Sequence, residues 1–258
     1  MHPVKVSCVS YINSAPYIYG LHKLEASGAI TLSLDNPSEC AAKLRLGSVD
    51  IGLVPVAAIA SIKNASQITE WCIGADGPVK SVTLLSDVPL QKIKSIVLDF
   101  QSVTSNLLSR VLASNYWKIT PKFHETQDGL EQEIKGSRAG IIIGDRSLLR
   151  QHKYHYVYDL AEEWKKFTGL PFVFARWVST KKLSEEFEQQ FNDALSFGIH
   201  HLDDVILQLK SQPNYQPGTD DYLLNNLSYD FDDSKKRGME LYLEYAATLT
   251  ESEIRELQ

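Results

Sequence analysis

The 258-residue sequence contains no run of about 18 apolar residues, the length at which a helix can cross a bilayer. Its opening, MHPVKVSCVSY, also lacks the apolar stretch of a secretory signal, so a soluble, cytoplasmic chain with no membrane partner is expected. Cysteine is scarce. Cys8, Cys40 and Cys72 are odd in number and show no CxxC spacing, which argues against a disulfide framework and a zinc cluster and predicts three small buried hydrophobes. A basic excess is missing too: 26 Lys plus Arg stand against 32 Asp plus Glu, a net charge of −6. No nucleic-acid partner is expected from that balance. An anionic ligand must be held by local donors such as helix N-termini.

Familiar catalytic and cofactor signatures are absent as well. There is no HExxH, GxSxG, GxGxxG or GxxxxGK[ST], so no metal site or nucleotide cofactor is indicated. Among the seven histidines, His200 and His201 fall in an amphipathic helical segment and His152 and His155 in a Tyr-rich turn. These read as structural or solvated.

What is present is alternation. Val4 to Val9 reads as a strand, Tyr17 to Leu24 as a helix and Ile30 to Leu34 as a second strand. A helix with Ser38 as N-cap follows through Leu46, then a third strand from Asp50 to Val56. The order repeats from Ile96: strand to Phe100, helix from Ser105 to Tyr116, strand from Pro121 to His124, short helix from Gly129 to Lys135, strand from Ala139 to Ile143. Beyond an extended segment at Phe172 to Val178 the chain reads as helical. Leu183, Phe187, Phe191, Leu195, Leu202, Ile206 and Leu209 form one core-facing stripe, and further helices start at Thr219 and run through Leu241, Tyr245 and Leu249.

Alternating α/β units predict parallel sheets covered by helices. They fit one doubly wound domain or two lobes. Connectors near 86–94 and 170–178 favour two lobes, with residues 1–88 and 177–258 in the first, 89–176 in the second and a ligand cleft between them.

Four segments offer donors. Asn13 and Ser14 follow the first strand, and Pro16 suits a first helical turn; position alone favours them as caps, with neutral donors to a ligand as the alternative. Ser102, Thr104 and Ser105 open a helix after Leu98-Asp99-Phe100, again as caps or as an anion site. Gly144, Asp145 and Arg146 follow an apolar strand, where Arg146 can meet an anionic ligand or pair with Asp145. Ser81 carries a hydroxyl at the end of another apolar strand. Taken alone, these residues point to a small anion bound by helix N-termini.

Five blocks go further: VSYINSAPY (Val9 to Tyr17), DIGLVPVAAIA (Asp50 to Ala60), SVTLLSDVPL (Ser81 to Leu90), GIIIGDRSLL (Gly140 to Leu149) and YDLAEEWKKFTGLPFVFARW (Tyr158 to Trp177). In sequence and order they resemble the chorismate dehydratases of the futalosine route to menaquinone, the MqnA family. The resemblance implies a fold similar to type 2 periplasmic binding proteins, an activity that removes water from chorismate, and no metal or organic cofactor. By motif match it implies Asn13 and Ser81 at the reacting part of the substrate, and Ser14, Ser102, Thr104 and Ser105 at its carboxylates. Ser10, Tyr11 and Ala15 of the first block, Pro55 and Val56 of the second, and Gly144, Asp145 and Arg146 complete the implied substrate-binding set. Monomer and homodimer are both compatible with it.

Two rival readings share the architecture. A non-catalytic solute receptor has the same fold. The sister naphthoate synthase of the same pathway carries a Pro-Asn-Asp-Thr-like N-terminal block that Asn13-Ser14-Ala15-Pro16 does not fit, and tends to a histidine where Gly144-Asp145 stands here. One residue departs from the dehydratase pattern: Arg176, where an apolar or small side chain is expected.

Overall fold

A computed structural model describes residues 3–126, 129–213 and 215–249. In chain order the first elements are β1 (Val4–Val9), α1 (Ala15–Ala26), β2 (Ile30–Asp35), α2 (Pro37–Arg45), β3 (Ile51–Pro55), β4 (Ser66–Ala75), β5 (Val82–Ser86), β6 (Ser95–Leu98), α3 (Val103–Val111), β7 (Lys122–Glu125) and α4 (Leu130–Glu133). Then come β8 (Arg138–Ile143), α5 (Asp145–Arg150), β9 (Tyr156–Asp159), α6 (Leu160–Thr168), β10 (Phe172–Ser179), α7 (Glu185–His200), α8 (Leu202–Lys210), α9 (Thr219–Asp221), β11 (Ser228–Asp230) and α10 (Asp233–Ala247).

The strands form two sheets. The first has the order β11-β4-β10-β3-β1-β2, with β2, β1 and β3 parallel and β10 antiparallel to β3. In the second, β7-β6-β8-β5-β9, the strands β7, β6 and β8 are parallel, while β5 runs antiparallel to β8 and β9. Strands β3 and β10 are buried along their whole length, which explains why they read as nearly continuous apolar runs, β10 interrupted by Arg176, and not as alternation.

The chain divides into two compact units, residues 1–74 with 174–232 and residues 75–173 with 233–258. The second crossing, at 173/174, lies three residues before the expected one, so Phe174 to Arg176 fall in the first unit; two larger differences from the sequence-based division each have a packing cause. Residues 82–86 are β5, hydrogen-bonded to β8 and β9, so the first crossing lies at 74/75 and not near 88. The last helix belongs to the second unit. Tyr242 donates its hydroxyl to the Thr104 carbonyl at 3.1 Å and packs edge-on against Trp164 and Phe172, while Gly238 lets α10 approach the Pro171 carbonyl.

In the first unit α1 packs closely on α7. Gly20 lies against the Ala194 carbonyl and Gly198 against that of Pro16, so that a methyl on either glycine would collide with the opposite backbone. The stripe read as one helix is two, broken at His201. His200 and His201 each bond through Nδ1 to the carbonyl four residues back, at 2.8 Å, and the His201 ring stacks on Phe197. Asn36, not Ser38, caps α2: its side chain accepts from the Glu39 N–H at 2.9 Å, and the Glu39 carboxylate accepts from the Asn36 N–H at 3.1 Å. All three cysteines are buried thiols outside any disulfide.

Asp35, at the end of β2, accepts from the Ser7 and Ser33 hydroxyls at 2.7 Å each and from Lys43 Nζ at 2.6 Å. Burial pushes its carboxyl up, but the lysine and hydroxyls outweigh burial and hold it below the ordinary range. A carboxyl lowered in the fold stabilises above its unfolded value of about 3.9, and the contribution is lost as pH falls through the lowered value. Lys43→Met is therefore expected to cost about 1 kcal/mol at neutral pH, modest because the lysine is partly solvated. It should also flatten the stability loss below about pH 4. Urea midpoints at neutral and acid pH test both.

Candidate functional site

The polar residues singled out in the sequence stand at one end of each sheet. In the first unit, β1 and β3 are parallel neighbours, and the segments leaving their carboxyl ends carry Ser10 to Ala15 and Pro55-Val56. Residues Ile12–Ser14 form a 3-10 turn running directly into α1, with Pro16 in its first turn. Ser14 is fully buried and donates its hydroxyl to Asn13 Oδ1 at 3.1 Å. The Tyr229 hydroxyl, from β11, donates to the Asn13 carbonyl at 3.0 Å. Tyr229 is itself seated edge-on against Tyr17, whose hydroxyl donates to the Cys72 carbonyl at 2.7 Å. The half-buried Asn13 amide is thus oriented with Oδ1 engaged and Nδ2 as its donor side.

In the second unit the carboxyl ends of β6 and β8 adjoin the amino end of β5, which gathers Asp99 to Ser105, Gly144 to Arg146, and Ser81. Ser81 precedes its strand, and its carbonyl accepts from the Gly144 N–H at 2.8 Å. Gly144 has φ +63, a conformation open to glycine that lets the chain turn into α5. Lys80 also has a positive φ, +61, which costs a non-glycine residue free energy. Its N–H donates to Asp159 at 2.5 Å and its carbonyl accepts the Ser147 hydroxyl at 3.0 Å. Ser147 lies in turn 2.8 Å from Thr83 Oγ1. This network presets the backbone at Ser81, which is 2% exposed.

Ser102 is the N-cap of α3: its Oγ accepts from the Ser105 N–H at 3.2 Å and donates to Ser105 Oγ at 2.8 Å. The capping reading is thus realised for Ser102, and Ser105, Thr104 and Ser102 are all buried at that helix start. Arg146 pairs internally with Asp99, at 2.5 Å, an acid outside the two sequence-based alternatives, an anionic ligand and Asp145; it also donates to Gln101 Oε1 at 3.0 Å. Asp99 is fully buried and further accepts from the Gln101 and Ile143 N–H groups. Burial raises its carboxyl above the ordinary range, opposed by Arg146 and those amides. Removing Arg146 strands a buried carboxylate, so Arg146→Met is expected to cost about 3–5 kcal/mol, with partial recovery in the double variant with Asp99→Asn. Chemical denaturation of the four-member cycle measures this.

Asp99 and Tyr229 are the positioning residues that sequence reasoning passed over. An aspartate at the carboxyl end of an apolar strand, followed by a hydroxyl-rich helix start, is a signal for the first. Nothing local marks the second, which acts 216 residues from Asn13.

Parallel strands with neutral donors at their carboxyl ends, in two units that the chain crosses three times, define a protein of the periplasmic-binding-protein fold. Solved structures agree. AF1704 from Archaeoglobus fulgidus is similar with a TM-score of 0.74 at 13% identity, over 95% of this chain and 97% of that one. The Candida albicans CA3427 gene product, described as having the generic periplasmic binding protein fold, gives 0.68 at 15% identity over 100% and 95%. The periplasmic aliphatic sulphonate binding protein SsuA from Escherichia coli gives 0.59 at 14% over 99% and 97%. Such identities speak for the fold alone. The family comes from sequence: residues 4–248 match the family described as menaquinone biosynthesis, and the chain belongs to that family. A role in menaquinone biosynthesis follows. Among the described residues no helix is long and apolar enough to cross a membrane.

Proposed function

We propose that this chain is a cytoplasmic chorismate dehydratase, eliminating water from chorismate to give 3-[(1-carboxyvinyl)oxy]benzoate. The observation that carries the reading is Asn13. It is a neutral amide held by Ser14 and Tyr229 at the end of β1, with its donor side available, in a chain of the menaquinone biosynthesis family.

The chemistry suits such a site. Chorismate loses its C3 proton and C4 hydroxyl as one water, and the ring becomes aromatic, which supplies the driving force. The ring carboxylate acidifies the C3 proton through the diene, so donors at that carboxylate stabilise the charge developing in the transition state. Ser102, Thr104 and Ser105 at the start of α3 and Ser14 before α1 are suited to carboxylates. Asn13 Nδ2 is assigned to the leaving hydroxyl, and Ser81 to the reacting part of the same ligand. An amide is no base at neutral pH, so the proton is assigned to the substrate's own enolpyruvyl carboxylate. An analogue lacking that carboxylate that still eliminates at full rate would exclude it.

The test is incubation of the purified chain with chorismate, following loss of diene absorbance and the appearance of an aromatic product lighter by one water. Binding without turnover makes the chain a solute receptor. Turnover of a cyclic futalosine derivative in place of chorismate makes it the sister synthase. No binding of either ligand rejects all three readings.

A further inference from the structure

Arg176 stands where the resemblance implies an apolar or small side chain, and its surroundings are unusual. It lies on β10, two residues past the crossing at 173/174, and is 2% exposed. Its register partner on β3 is Val54, one row from the pair Ala175 and Pro55. The guanidinium stands 3.3 Å from the centroid of the Phe231 ring, which holds its plane, and Nη2 donates to the Thr69 carbonyl at 2.7 Å. Nε and Nη1 meet no acceptor, and no carboxylate among the described residues pairs with it. Burial depresses its basicity, and exposed Glu70 acts on it only from a distance.

A buried cation without a counter-charge is costly. Arg146, by contrast, has Asp99. One bond to a carbonyl and one aromatic face do not use a guanidinium's capacity of five N–H donors. Whichever Nη2 hydrogen Thr69 accepts, one two-donor edge of the fork remains open: Nε with Nη2, or Nη1 with Nη2. Such an edge matches the two oxygens of a carboxylate.

We infer that Arg176 is a substrate-binding residue that receives a planar carboxylate in a bidentate pair, one row from the candidate residue Pro55. As a statement about chorismate this rests on the function proposed above; as a statement about carboxylates it does not. A charge kept for a ligand opposes stability in the ligand's absence, so the ligand-free Arg176→Met chain should unfold at the same midpoint as wild type or above it. A residue kept to fasten Thr69 to Phe231 would give the opposite sign.

The experiment is calorimetric titration of wild type, Arg176→Met and Arg176→Lys with chorismate, together with thermal midpoints with and without benzoate, a bare aromatic carboxylate. The expected result is about a hundredfold weaker chorismate binding in Arg176→Met, with a smaller loss in Arg176→Lys, which keeps the charge but not the fork. Wild-type affinity in Arg176→Met overturns the inference whatever its midpoint does. Should that variant not fold, the wild type against Arg176→Lys comparison decides by the same criterion. If wild type ignores chorismate, the dehydratase reading fails while the benzoate arm still judges Arg176. A benzoate-induced rise in midpoint in wild type that Arg176→Met lacks supports it; no rise in wild type, or an equal rise in both, rejects it.

Discussion

Asn13→Ala is expected to lower kcat/KM for chorismate by about a thousandfold, the scale seen when one preorganised donor to developing charge is removed. Its unfolding midpoint should change little. The side chain is half-buried and bonded within the protein to the Ser14 hydroxyl, whereas the bond that ties the turn to β11 is made by the Asn13 carbonyl, which alanine retains. Asn13→Asp sharpens the test, since it keeps the shape and replaces the Nδ2 donor by an acceptor. If Asn13 works by donating, the aspartate is at least as damaged as the alanine. If position 13 needed a base, the aspartate would keep or gain activity. Steady-state rates from the loss of diene absorbance, with thermal midpoints on the same preparations, separate the cases.

Much of the architecture is legible because its signals are local. Val4–Val9 as a strand, the β1–α1 turn and the α/β alternation around Ile96–Ile143 are written in short apolar runs and small polar residues, and they stand within a residue or two of where they were expected, save that the helix expected to Tyr116 is α-helical only to Val111 and continues to Trp117 as a π-helical turn. What failed was set by distant partners. Tyr156–Asp159, just past the Tyr-rich turn of His152 and His155, does not stand out as a strand because its strand character comes from pairing with β5, and β11 is only three residues long, defined by β4. The place of α10 depends on Trp164, Phe172 and Thr104, so no helical stripe could assign it to the second unit. At the site, residue types were readable but partnerships were not. Arg146 could be seen to need an acid, yet Asp99 lies 47 positions away and Asp145 next door.

The α1–α7 contact predicts the largest loss of stability and bears on the site as well. In an exposed helix, glycine to alanine gains about 1 kcal/mol from propensity. At Gly198 the added methyl meets the Pro16 carbonyl, and at Gly20 the Ala194 carbonyl; neither backbone can yield without separating the helices. Gly198→Ala is therefore expected to cost about 3 kcal/mol or more, a large part of the 5–15 kcal/mol that holds a domain together. Pro16 stands in the first turn of α1, three residues from Asn13, so the displacement enters the candidate site. Gly238→Ala supplies the contrast: its methyl meets the Pro171 carbonyl within the second unit, whereas the Asn13 turn belongs to the first. Both variants should unfold at lower urea concentration. At temperatures where both remain folded, Gly198→Ala should lose kcat/KM beyond Gly238→Ala, because only the first shifts the helix start that positions the amide. Equal activity in the two would mean that α1 absorbs the strain before it reaches Asn13.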